Sequence, residues 1–155
     1  MASIFGTKGT PWNDQEPGAN DAGVVTRQIT GSKPGGLPSG ATFVGAASGN
    51  VANAQAQASL PAVAAKLNYL TGVQITAAGA TGALVVNATI AGLVGGTVTY
   101  SFAFPAGVAV QATPIIVPFP MPIPASAVNT AIVVTLPAGG AGNTNAAVAL
   151  QGYVV

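Results

Sequence analysis

The sequence predicts an all-β protein: an eight-stranded antiparallel β-sandwich, jelly-roll-like, preceded by an extended N-terminal arm. Three observations predict it. Apolar residues recur with period two along most of the chain after Ala41, Gly- and Pro-rich turn signals punctuate that pattern at short intervals, and no amphipathic helical stretch lies between them. Evenly spaced short strands suit a sandwich, and eight of them suit a jelly roll with two Greek keys. A length of 155 residues fits one domain with a single core.

Residues 1–40 differ from the rest. They hold six of the seven charged side chains, the only Trp, and repeated Pro and Gly in TKGTPWNDQEPGAND and TGSKPGGLPSG, with one short apolar run at 23–29. Such a segment cannot bury enough apolar area to offset its own ordering entropy. An arm or long loop is therefore expected at 1–40, ordered against something else, with a disordered terminus as the alternative. The sandwich is expected over 41–155.

Each strand then follows from its pattern. In VANAQAQASL the polar residues fall on one face only at 180° per residue, which predicts a strand over 52–60. Over 67–77, Leu67, Tyr69, Val73 and Ile75 are read on the inner side, with a bend or bulge at Thr71-Gly72. After the turn AAGATG, a strand over 84–91 turns Leu84, Val86, Ala88 and Ile90 inward against Asn87 and Thr89. The clearest alternation is at 97–104, where Val98, Tyr100, Phe102 and Phe104 share one face and Thr97, Thr99, Ser101 and Ala103 the other. Residues 93–96 join it to its predecessor as a hairpin. Strands over 108–112 and 115–119 follow, the second placing Val117 and Phe119 in the core. The run PFPMPIPAS must lie on an edge or in a loop, because Pro cannot donate to a ladder. Residues 131–136, with Val133 as a core position, and 146–154 complete the eight.

Composition excludes much chemistry. The chain has no Cys and no His, so disulfides, thiolate catalysis, thiolate-ligated zinc and imidazole mechanisms are all unavailable. Its carboxylates, Asp14, Glu16 and Asp21, all lie in the arm, where nothing holds them in a catalytic geometry. Ser32-Lys33 is formally a nucleophile and base, but adjacent loop residues of these types are ordinarily solvated. No enzymatic activity and no cofactor are expected. Asn13, Asp14, Glu16, Asn20 and Asp21 have the composition of a calcium loop without its spacing, since the closing Glu would fall on Val25. Gly35-Gly36 and Gly95-Gly96 lack the Lys-Ser/Thr of a phosphate loop and read as turns. Asn87-Ala88-Thr89 is a glycosylation triplet by letter, placed mid-strand.

Four cations at net charge +1 cannot build a nucleic-acid surface, so Tyr100, Phe102 and Phe104 are read as core and not as a stacking platform. Mean hydropathy is +0.57, yet the most apolar stretch, 84–104, is interrupted by Asn87, by glycines and by alternating threonines, which excludes a spanning helix. No basic stretch followed by an apolar run opens residues 1–12, so a secretory signal is not expected.

The charge distribution is the most informative feature. Charged residues make up 5% of the chain, and from Leu67 to Val155 no charged side chain occurs. A soluble monomer ordinarily keeps a charged surface. Two explanations remain open: a surface covered by other subunits, or one wetted by Thr, Ser, Asn and Gln.

The segments LNYLTGVQITAAGATG, GLVGGTVTYSFAFPAGV and PIPASAVNTAIVVTLPAGGAGNTNAAVALQGY resemble small virion proteins of tailed bacteriophages, in particular head decoration (cement) proteins. The likeness covers a little over half the chain and includes no catalytic signature. It implies a jelly-roll-like fold, commonly a homotrimer, seated on the outer capsid surface where major capsid protein subunits meet, with a terminal arm reaching across neighbours. On that expectation the protein is located on the virion and its partners are the major capsid protein and itself, with no nucleic acid and no membrane. Phe5, Trp12 and Ile29 would be apolar anchors of the arm, and Lys8, Asp14, Glu16, Asp21, Arg27 and Lys33 would set its orientation or merely keep it soluble. A second expectation is a receptor- or glycan-binding module of a fibre or spike, recognising its ligand through loops 113–126 and 137–145. A self-assembling shell subunit fits the composition but not the short length.

Overall fold

In an antiparallel ladder each residue is committed to one face, so alternating apolar and polar residues produce one buried and one solvated surface. The computed structural model describes residues 36–108 and 110–155, and within the compact unit 42–155 that rule yields eight strands. They are β1 (Thr42–Ala47), β2 (Ala56–Leu60), β3 (Asn68–Ala77), β4 (Leu84–Leu93), β5 (Gly96–Phe104), β6 (Ile115–Pro124), β7 (Ile132–Leu136) and β8 (Ala146–Val154).

Antiparallel pairing joins β1 to β8, β2 to β7, β3 to β6 and β4 to β5. The chain is thus one long ribbon folded back at the β4–β5 turn. Pairing of β3 with β8 and of β4 with β7 rolls that ribbon into two four-stranded sheets, ordered β1-β8-β3-β6 and β2-β7-β4-β5. This is the jelly-roll connectivity of a β-sandwich.

The core lies between the sheets. Leu60, Leu70, Ile75, Ile90, Phe102, Phe104, Ile132, Val134, Leu136 and Val148 are all buried in one cluster, and the rings of Phe102 and Phe104 meet edge to face with centroids 5.2 Å apart. Each such side chain contributes roughly 1.5–3 kcal/mol on burial. Among residues expected inside, Val73, Ile75, Ile90, Phe102 and Phe104 are buried, and Val86, Val98, Tyr100 and Phe119 are half-buried against the cluster. Val117 is half-buried opposite Val73 near the sheet edge.

Two core assignments are corrected. Tyr69 faces outward, because the ladder shifts between Leu70 and Gly72 and inserts one extra β3 residue against β8; this reverses the parity, so Leu70 and Val73 both point inward. Val133 also lies on an outer face, since Ile132, Val134 and Leu136 take the inner positions of β7. An unbroken Ile-Val-Val run does not reveal which parity is buried.

Strand bounds differ from expectation chiefly in four places. Residues 42–47 form β1, an edge strand whose outer residues include Phe43, Gly45 and Ala47. Among the described residues of 108–112 no strand forms; Gln111 makes an isolated bridge to Ala78. The prolines 118, 120, 122 and 124 lie inside β6, which extends to Pro124 at the edge of its sheet. Proline has no N–H, so this edge strand offers few backbone donors, and its ladder with β3 is itself irregular between Pro118 and Ile123. β2 begins at Ala56, four residues later than the alternation suggests.

A neutral amide closes each end of the sandwich. At one end, the loops 48–55, 78–83, 105–114 and 137–145 form a crown stitched by backbone hydrogen bonds: Asn53 N to Asn143 O (2.9 Å), Thr81 N to Ala141 O (2.8 Å) and Ala80 N to Pro105 O (3.1 Å). Buried Asn143 donates through Nδ2 to the carbonyl of Ala78 (2.6 Å) and to that of Asn145 (3.3 Å). At the other end, buried Asn68 donates through Nδ2 to the carbonyls of Pro61 and Thr130, both at 2.9 Å, tying the β2–β3 loop to the β6–β7 loop. Gly92 sits at this end with φ +88°, where a Cβ would collide with the Ala131 carbonyl oxygen.

Asn143→Ala strips the buried Ala78 carbonyl of its donor, a loss of about 1–3 kcal/mol. Denaturant unfolding is expected to show that loss. Hydrogen exchange should accelerate at the amides of Asn53, Ala78 and Thr81 and stay unchanged at Ala125, which is held at the opposite end.

Candidate interaction surfaces

The two sheets present chemically different outer faces. On β2-β7-β4-β5 the outward positions are mainly hydroxyls and amides: Gln57, Thr135, Thr89 and Thr99 form one row across the strands, and Asn87 lies beside Ser101. Gln57 Nε2 donates to Thr135 Oγ1 at 3.2 Å, and Ser101 Oγ to Asn87 Oδ1 at 3.4 Å. Exposed Val85 and half-buried Val133 are the large apolar exceptions. Water hydrates such a surface without charge.

The face of β1-β8-β3-β6 is built otherwise. Its first row holds Phe43, Tyr153, Tyr69 and Pro124; the next holds Gly45, Gln151, Gly72 and Pro118; the third holds Ala47, Ala149, Gln74 and Ile116. Phe43 is 62% exposed and Ile116 66%. The rings of Tyr69 and Tyr153 stack with centroids 4.9 Å apart and planes 14° from parallel. The aromatic ridge so formed stands beside a floor of small residues; Phe43 is its exposed member, Tyr69 is half-buried and Tyr153 is buried. A depression of about 210 Å³ lined by Gly72, Gln74, Ala149, Leu150 and Gln151 occupies that floor.

A second concavity lies where this face meets the crown. It encloses about 300 Å³, lined by Asn50, Thr76, Gln111 and Asn145 above Ala77, Ala78, Ala146 and Ala147. Asn50 Nδ2 donates to Asn145 Oδ1 at 2.8 Å. Its chemistry is that of neutral amides and a hydroxyl.

Among the described residues no cluster of His, Cys, Asp or Glu is arranged to hold a metal ion, and no helix is long and apolar enough to cross a membrane. The expected arm residues Phe5, Lys8, Trp12, Asp14, Glu16, Asp21, Arg27, Ile29 and Lys33 lie outside the described residues, as do Ser32 and the calcium-like run at 13–21. Of the two loops expected to recognise a ligand, 137–145 belongs to the crown, whereas 113–126 is largely strand β6. The outer-face ridge carried no sequence motif, because Phe43, Tyr69 and Tyr153 are far apart in the chain and meet only through the register of β8 with both neighbours.

These features define a jelly-roll sandwich with two unlike faces and a single charged side chain, Lys66, in its body. No family model, no curated protein and no solved structure matches the chain.

Burial pushes the Tyr153 phenol above its ordinary value of 10.0, and like-charge repulsion from Tyr69 raises it further. A folded-state value above the unfolded one means that the neutral phenol contributes stability throughout the range below the unfolded value. That contribution is lost as pH rises through the folded-state value. Denaturation midpoints should thus hold steady to about pH 9 and decline above about pH 10, the ordinary tyrosine range. Tyr153→Phe, which keeps the ring stack, should flatten the alkaline decline.

Proposed function

We propose that this chain is a structural, non-enzymatic virion protein that binds the outside of a bacteriophage capsid, self-associates, and stabilises the shell by bridging major capsid protein subunits. The observation that carries the reading is the body's exterior, with Lys66 its single charged side chain and one face left apolar, a combination suited to a protein covered by other protein. The resemblance of 67–155 to decoration proteins supports the same reading. So does the arm's composition: a Pro- and Gly-rich segment with Phe5, Trp12 and Ile29 suits ordering on contact, and self-association would multiply its modest affinity through effective concentration.

The amide-lined concavity at the crown favours a second reading, a module that binds a neutral glycan. Asn50, Gln111 and Asn145 offer donors and acceptors for hydroxyls, and no aromatic ring lines the site to stack on a sugar.

Adding purified protein to particles that lack it separates the readings. A decoration protein should co-sediment with heads at high copy number and raise their resistance to heat and chelation. Binding to host cells or glycans by the isolated protein, with no effect on heads, would favour the second reading. A protein that binds neither heads nor glycans would contradict both.

A further inference from the structure

We propose that the β1-β8-β3-β6 face pairs with the same face of a second copy of this chain, each copy seating its Phe43 in the other's central depression. The inference deepens the assembly reading and rests on it only in treating this face as covered by protein.

Shape is the first argument. Phe43 sits on edge strand β1, and its ring lies over Gly45, close to where a Cβ would stand. The depression at Gly72, Gln74 and Ala149 is on β3 and β8 of the same face. A two-fold axis lying in the plane between two facing copies, and bisecting the line from ring to depression, brings each ring over the other copy's depression. One axis satisfies both insertions, as an isologous contact requires.

Electrostatics is the second argument. No outward residue of this face is charged. A charged partner surface would lose hydration here and gain no counter-charge. An identical neutral face incurs no such loss, and Gln74 and Gln151 supply amides that can pair with their own kind.

Area is the third. Four strands about 4.8 Å apart and about eight residues long, at roughly 3.3 Å per residue, present on the order of 500 Å². Two such faces bury about 1,000 Å² together, the lower bound for a specific interface. The hydroxylated face of β2-β7-β4-β5 has the same extent but would have to shed bound water from its Thr, Ser and Asn side chains.

The pairing yields a dimer, and it departs from the threefold state that the decoration-protein resemblance implies, because a threefold ring joins two different patches of each subunit.

The test is the mass of the full-length protein in solution, by sedimentation across a concentration series, without capsids present. The wild type should sediment as a dimer. Phe43→Glu should weaken the dimer by at least about 30-fold, the effect of losing a central aromatic anchor, while Thr99→Glu on the opposite face leaves it unchanged. Far-UV circular dichroism checks that each variant folds; should Phe43→Glu not fold, Ala149→Glu, which fills the depression, decides in its place. A wild-type monomer at about 100 μM, a trimer, or a folded Phe43→Glu variant that still dimerises at wild-type strength would overturn the inference. A monomer that nonetheless binds heads removes this pairing and leaves the capsid-binding part of the assembly reading standing, whereas a dimer that ignores heads does the reverse.

Discussion

A body whose only charged side chain is Lys66 must satisfy its polar groups with neutral hydrogen bonds and must remain in water without the hydration that ionic groups supply. Every distinctive feature of this sandwich follows from that constraint. The backbone is paired in two rolled sheets, the loop ends are stitched to one another, and the exterior is divided between a hydroxylated face and an apolar one. Net charge of +1 provides little repulsion between copies. Association is then decided by the shape and chemistry of the faces.

Asn68 and Asn143 show how neutral groups close such a fold. Each is buried, each spans two backbone carbonyls, and each joins loops far apart in sequence. An amide can donate twice without bringing a charge into the interior, where an unpaired ion would be far more costly. The proline-studded β6 limits a different hazard. Removing donors from an exposed strand discourages open-ended growth of the sheet, so contact with other copies is directed away from that edge and toward a face.

The strand pattern was legible where apolar and polar residues alternate without interruption. Val98 to Phe104 is the clearest case, and the Phe102–Phe104 contact at the heart of the core could be anticipated from it. Legibility failed where parity was ambiguous or broken. The bulge at Thr71-Gly72 was visible, but its consequence, the reversal that sends Tyr69 outward, requires the register against β8. The Ile-Val-Val run of β7 hides its own orientation. β1 was missed because TFVGAA contains Gly and Ala and gains its strand character by pairing with β8. Asn143 gave no signal at all, since an Asn in AGGAGNTN reads as a turn residue. The aromatic ridge was illegible for the same reason as most surfaces: three strands distant in sequence must be placed side by side before Phe43, Tyr153 and Tyr69 form a row.

The division of the exterior is the centre of this account, and hydroxyl-radical footprinting of the assembled protein measures it most directly. Coverage of the apolar face predicts strong protection of Phe43, Tyr69 and Ile116, with Met121, which is 83% exposed and lies off the rows that define that face, oxidised freely in the same sample. Oxidation of Phe43 as fast as Met121 under native, concentrated conditions would show that this face meets only water, and would contradict the account.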